Sequence, residues 1–444
     1  MVKITCEACK LDRGTSQLIL LDELKSLENT FFRKEHNWCI NYGVDCNHCS
    51  REGVRPLHVS AQGGHIDAVK VLLKNQADIN TCSDEGIFPL YVACQNKYIE
   101  IVKVLLDSKA DINKCIDDGT SSLYIACLND NIKIAQVLLN NKADIDKCRN
   151  VGTSPLYCAC DNNHIEMVKV LIDNNADINK CDNNGLSPLC IACCNNISEI
   201  VHNLLINKAD MYKCMDDGVS PLCIACHNNH IETVKILIEN KAEVNKCKDD
   251  GASPLHIACQ NNNIEIVKVL LENKADINKY TKDEVSPLYI ACQNSHIEIV
   301  KILIVNHADI FECECHGTSP LLIACHNNHL GIVQLLLNKG ADIYKCSDDG
   351  KSPLYAACNY NHIEIVKILL DNKADINTCT NINASPLFIA CHNNHIATFK
   401  VLLDNNADIN RCRYDGTSPL YIACFNNHIN MVKILLNNKA DINK

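Results

Sequence analysis

Three pairs near the N-terminus carry the residue types that bind transition metals. Cys6-x2-Cys9, His36-x2-Cys39 and Cys46-x2-Cys49 have the ligand chemistry and pair spacing of a zinc module, with Cys6, Cys9, Cys46 and Cys49 as the set that would hold it. Cys313-x-Cys315-His316 offers a second cluster, although adjacent residues rarely converge on one metal. Seven histidines, His164, His230, His296, His329, His362, His395 and His428, recur in Asn-rich turns, a spacing that suits a turn or cap better than a catalytic role. No phosphate loop, dinucleotide fingerprint, H-E-x-x-H helix or G-x-S-x-G elbow occurs. The residues therefore predict no enzyme and no cofactor, with the N-terminal zinc module as a minor alternative.

The elements that would position these side chains follow from a repeat. Pro-Leu steps occur at Pro56-Leu57, Pro89-Leu90, Pro155-Leu156, Pro188-Leu189, Pro221-Leu222 and Pro254-Leu255, then at Pro287, Pro320, Pro353, Pro386 and Pro419. Ser122-Leu123 fills the single gap, every step is 33 residues, and Cys49 to Lys444 makes twelve lengths of it. Within one unit, Ser154-Pro155 reads as a helix start, because a Ser side chain accepts from first-turn amides and Pro suits the first helical position. A short small-residue helix follows, and Asn162-Asn163 breaks it and offers caps for the next. Ile165, Val168, Leu171 and Ile172 then form the apolar stripe of a second helix, with Glu166 and Lys169 paired on its wet side.

This unit resembles the ankyrin repeat: a Gly-containing turn, a T-P-L-H-like start, a V-V-x-L-L-L-like helix and an Ala-Asp-x-Asn tail. The resemblance covers 49–444 and implies an all-α solenoid of about twelve full repeats, paired helices with β-hairpin tips, used to bind proteins along a concave groove. Residues 16–48 align as a degenerate capping unit, and 1–15 have no assigned structure. The family Gly before Ala-Asp survives only at Gly340; Gln76, Lys109 and Asn175 stand at its equivalents, where a side chain costs of order 1 kcal/mol. The family His survives at His58 and His256 and is mostly Tyr elsewhere, which leaves its hydrogen bonds in doubt.

Composition narrows the partners. The chain is 47% hydrophobic with a net charge of −11, which excludes disorder and argues against nucleic acid or an anionic membrane. No apolar run approaches the ~20 residues of a membrane span and no signal peptide opens the chain, so a cytoplasmic or nuclear protein is expected. Of 31 cysteines, ten recur at the turn and eleven in the first helix, from Cys94 to Cys424. Stacked helices roughly 8–10 Å apart hold equivalent cysteines too far apart to bridge, so reduced thiols are expected.

A protein partner would meet two rows. The tips supply Asp84, Glu85, Asp117, Asp118, Asp216, Asp217, Asp249, Asp250, Asp348 and Asp349, an acidic set suited to a basic or extended segment. The first helices supply Tyr124 and the variable residues Leu128, Asp161, His227, Gln260, Gln293 and His326. Turn formation alone explains the acidic tips equally well. Two further expectations concern weak places: the unit of Tyr280 and Glu284, which lacks both turn Cys and turn Gly, and Leu420, Ile422, Ile429, Val432 and Leu435, left at an open face. A second functional reading makes the chain the recognition arm of a larger protein, such as a ubiquitin-ligase adaptor or an ankyrin-bearing channel.

Overall fold

A computed structural model describes residues 46–444 except Cys214, Asp216 and Lys444. The tail 1–15 and nearly all of the capping unit 16–48 lie outside the described residues, as do Cys6 and Cys9. Two compact units divide at Asn183 and Asn184. Each is built from the same antiparallel helix pair, and the described residues hold twelve such pairs, from Pro56–Gln62 with Ile66–Lys74 to Pro419–Phe425 with Ile429–Asn437.

Local chemistry sets each boundary. In the first helix Pro254–Gln260, Pro occupies the opening turn and Ser253 Oγ accepts from His256 N at 3.4 Å. Ser121, Ser154, Ser187 and Ser220 cap their helices in the same way. The first helix is enclosed almost all round, so Leu255, His256, Ala258 and Cys259 are all buried. Small side chains let it approach its neighbours closely, and the Ala-Cys step fills that contact. The second helix Ile264–Glu272 buries only Ile266, Val267 and Leu270, while Lys268 reaches Glu265 at 2.7 Å on the wet side. Within each unit, first helices pack on the first helices before and after them and on their own second helices.

Asn162 and Asn163 do not cap the second helix as expected, although Asn131 Oδ1 does cap Ile132–Asn140 by accepting Ile134 N at 3.3 Å. Asn163 turns the chain in the left-handed region at φ 60, and His164 then holds the N-cap place without a side-chain cap bond. Asparagine works at the other end, where Asn174 Nδ2 donates to Val170 O at 2.8 Å and satisfies a terminal carbonyl.

The position that lost its glycine is left-handed throughout, as the sequence implies. Gln76, Lys109 and Asn175 have φ of 65, 71 and 65, and Gly340 has 85. Lys109 N bonds Leu106 O and Ala110 N bonds Leu105 O, the paired closure that a left-handed residue allows at a helix end. Lys109→Gly is therefore expected to raise stability by about 1 kcal/mol. A urea midpoint no higher than that of the parent chain would contradict this.

The β-hairpin tips are largely absent. Among the described residues one isolated bridge forms, Cys115 to Ser121. The other tips are tight turns of the pattern Ser83 N to Ile87 O at 2.8 Å and Gly86 N to Ser83 O at 3.0 Å. A polar side chain of the turn also accepts a backbone amide, as Ser83 Oγ does from Ile87 N at 3.3 Å and Thr281 Oγ1 from Val285 N at 3.1 Å. The loop after Tyr280 closes like its neighbours, with Thr281 N on Val285 O at 3.1 Å and Glu284 at φ 57 in the glycine place. At the last described pair, Leu420, Ile422 and Leu435 are buried and Val432 is half-buried, so the expected open face is reduced to Ile429, which is exposed together with Tyr421, Phe425 and Leu436.

Candidate functional site

Most successive tips are tied by one backbone bond. Asp84 N donates to Glu52 O at 3.0 Å, Asn150 N to Asp118 O at 2.9 Å, Asp249 N to Asp217 O at 3.0 Å and Asp348 N to His316 O at 3.0 Å. This registry fixes the two acidic residues of a tip in different roles. The first, as in Asp84, Asp117, Asp249 and Asp348, is exposed. The second is committed locally: Asp118 accepts Thr120 N at 2.8 Å and pairs with Arg149 at 2.6 Å. Asp250 accepts Ala252 N at 2.9 Å and pairs with Lys248 at 3.1 Å, and Asp349 pairs with Lys351 at 2.7 Å. Asp217 is exposed while its Oδ1 accepts Val219 N at 3.2 Å. Burial raises the Asp118 carboxyl, but bonds from Thr120 and Arg149 outweigh it and hold the group below the usual range. The tip row is therefore mostly exposed acidic surface, in which Asp118, Asp250 and Asp349 are also paired with a cation and Asp118 is half-buried. Glu85 is exposed; Asp216 lies outside the described residues.

The variable first-helix residues divide as well. Leu128, His227, Gln260 and Gln293 are exposed at the helix end, and Asp161 and His326 are half-buried. Tyr124 is not available: it is 5% exposed, and its hydroxyl meets Thr153 Oγ1 at 3.2 Å beneath the Arg149 guanidinium. Position, not residue type, decides this, because the third residue of the first helix points between repeats. Near the half-buried end, His326 meets the Tyr360 ring edge-on at 4.4 Å.

Where the family histidine survives, its bonds survive too. His58 Nδ1 accepts Arg55 N at 3.2 Å, and its Nε2 lies 3.1 and 3.0 Å from Thr81 O and Ile87 O. His256 Nδ1 accepts Ser253 N at 3.2 Å and Nε2 meets Val285 O at 3.0 Å. Both rings thus need the neutral form with the proton on Nε2. Burial lowers both pKa values, against the Val285 and Ile87 carbonyls and, for His256, Asp250 and Asp276, which favour the charged form; Arg55 opposes it at His58. The sign follows: the unfolded chain takes up these protons first, so the stabilisation is complete above pH 6.5 and is lost as pH falls from there through the lowered folded values. Unfolding by urea is expected to become easier between pH 7.5 and 5.5, less so in His256→Tyr; an equal slope in that variant would refute the assignment.

Two connecting sets have no counterpart in the sequence reading. The tail asparagines join repeats, with Asp111 N on Asn80 Oδ1, Asp144 N on Asn113 Oδ1 and Asp276 N on Asn245 Oδ1, each at 2.8 Å. The turn histidines reach back to the preceding repeat: His329 Nε2 to Gln293 O at 3.0 Å and His362 Nε2 to His326 O at 3.0 Å. Recurrence at a fixed offset was the available signal, since a side chain present in nearly every copy serves the copy-to-copy contact.

The described cysteines are free thiols. The first-helix row is buried from Cys94 to Cys391, where burial pushes the thiols up, while Cys424 is exposed. Of the zinc set, Cys46 is half-buried with its thiol on Asn75 O at 3.2 Å, and Cys49 is exposed. The second cluster needs a correction. Cys313 faces Phe311 O at 3.6 Å, and the three groups that meet are Glu314, Cys315 and His316. Adjacent residues do converge here, because Gly317 N closes a turn on Glu314 O at 2.8 Å. Burial raises the Glu314 carboxyl, but bonds from Thr318, His316 and Cys315 overcome it and hold the group at about 2.

The model for ankyrin repeats in three copies matches residues 34–116, 123–213, 189–281, 288–380 and 378–444, and that for many copies matches 261–304. The chain belongs to the ankyrin-repeat family, an all-α solenoid class whose repeats are protein–protein interaction modules. Among solved structures it is similar to the crystal structure of the human ASB11 ankyrin repeat domain, at 27% identity over 50% of this chain and 99% of that one, with a TM-score of 0.46. No curated protein matches the sequence. Among the described residues, no helix is long and apolar enough to cross a membrane.

Proposed function

We propose that the chain is a non-enzymatic scaffold that binds a protein partner along the groove between its tips and first helices. The observation that carries this reading is a contrast within near-identical copies. Buried first-helix positions repeat Leu, Ala and Cys, while the exposed helix end runs through Leu128 in the first unit and His227, Gln260 and Gln293 in the second. A surface that varies on an invariant frame suits recognition, with each side chain placed by the same backbone. The exposed Asp84, Asp117, Asp249 and Asp348, on a chain of net charge −11, favour a basic, extended protein segment over nucleic acid or an anionic membrane.

The test is affinity capture with the whole chain beside an Asp117→Lys, Asp249→Lys, Asp348→Lys variant. These are exposed sites, where substitutions change stability by only about 0.5 kcal/mol. The variant is expected to keep its far-UV spectrum and to lose its captured proteins. An unchanged set would remove the acidic tips from the account.

A further inference from the structure

We propose that the turn Glu314-Cys315-His316 is a binding site for a borderline-soft divalent cation of the zinc class. Its three donor atoms already form a small triangle. Cys315 Sγ lies 3.3 Å from Glu314 Oε2 and 3.1 Å from His316 Nδ1, and His316 Nδ1 lies 3.1 Å from the same carboxylate oxygen. Metal bonds of about 2.0–2.3 Å at tetrahedral angles put such donors about 3.3–3.6 Å apart, so closure needs shifts of only a few tenths of an ångström.

The site also has built supports. Thr318 N donates to Glu314 Oε1 at 3.3 Å, which holds the carboxylate and leaves Oε2 turned toward the other two donors. Glu314 has a side chain only 11% exposed, whereas that of His316 is 82% exposed, so the anchor is fixed and the entry is open. Cys315 N on Asp283 O and Asp348 N on His316 O set the turn between two neighbouring tips that supply Asp283 and Asp348. Among the described residues, this is the one group of three or more such donors close enough to share an ion. A thiolate with an imidazole and one carboxylate selects zinc-like ions over magnesium or calcium. Binding releases the Cys315 proton to solvent and leaves a fourth position for water or a partner's donor.

The test is alkylation of the reduced whole chain with N-ethylmaleimide, read peptide by peptide, with and without Zn(II). Exposed Cys424 serves as the internal reference. Zn(II) is expected to slow modification of Cys315 by about tenfold relative to Cys424, and His316→Ala and Glu314→Gln each to abolish that protection. His316 is exposed and Glu314→Gln keeps the shape of a largely covered side chain, and an unchanged far-UV spectrum checks the fold in both. Equal slowing at Cys315 and Cys424, or protection that persists in both variants, would overturn the site.

Discussion

Leu270→Ala will cost the second unit about 2–5 kcal/mol, the range for removing a fully buried leucine from a core that cannot collapse around the gap. Leu270 is 0% exposed and sits with Ile266 and Val267 on the buried face of its helix. Its carbonyl also accepts Ala275 N at 2.9 Å, so the backbone closure of that helix end stays in place and the loss is one of packing. Lys268→Ala on the same helix removes only an exposed ion pair to Glu265 and will cost about 0.5 kcal/mol or less. The comparison is made by urea unfolding of the whole chain, followed at the first transition, because repeat arrays need not unfold in one step. A Leu270→Ala midpoint equal to that of Lys268→Ala would show that the second helices contribute little to the core.

Gly119→Ala and Gly416→Ala will separate backbone strain from tip-to-tip contact. Both glycines are left-handed, at φ 87 and 82, so a side chain at either costs about 1–2 kcal/mol. At Gly416 nothing lies within 4 Å of an added Cβ, and that strain is the whole effect. At Gly119 the same atom would lie 2.7 Å from Asn150 N and 3.0 Å from Arg149 C, backbone that cannot swing aside. Relief requires breaking the bond from Asn150 N to Asp118 O and disturbs the Asp118–Arg149 pair, raising the total to about 2–4 kcal/mol. Equal losses at the two glycines would mean that adjacent tips are not held by that contact.

Much of the fold was legible because the repeat enforces it. A 33-residue step with Ser-Pro-Leu at fixed phase predicted the helix starts, and burial of the Ala-Cys step followed from the small side chains packed between neighbours. Other features depend on geometry that spacing does not carry. The family resemblance implied hairpins, but the tips close as tight turns, and the one bridge among the described residues, Cys115 to Ser121, forms around Asp118. Tyr124 shares the aromatic character of a binding residue, yet its place on the first helix turns it between repeats. The acidic tips looked uniform as letters; nearly all face solvent, but Asp118, Asp250 and Asp349 are also tied to a neighbouring cation, while Asp118 alone is half-buried. Glu314 was invisible as a ligand because the sequence pattern drew attention to Cys313, and only the tight turn at Gly317 decides which side chains meet.

The account rests on adjacent repeats completing one another's core, and native-state hydrogen exchange of Leu270→Ala measures that most directly. Faster exchange is expected in the helix Pro254–Gln260 of the same repeat and also in Pro221–His227 and Pro287–Gln293 on either side, since first helices in this unit pack on one another. Acceleration confined to residues 254–272, with both neighbours at their parental protection, would contradict it.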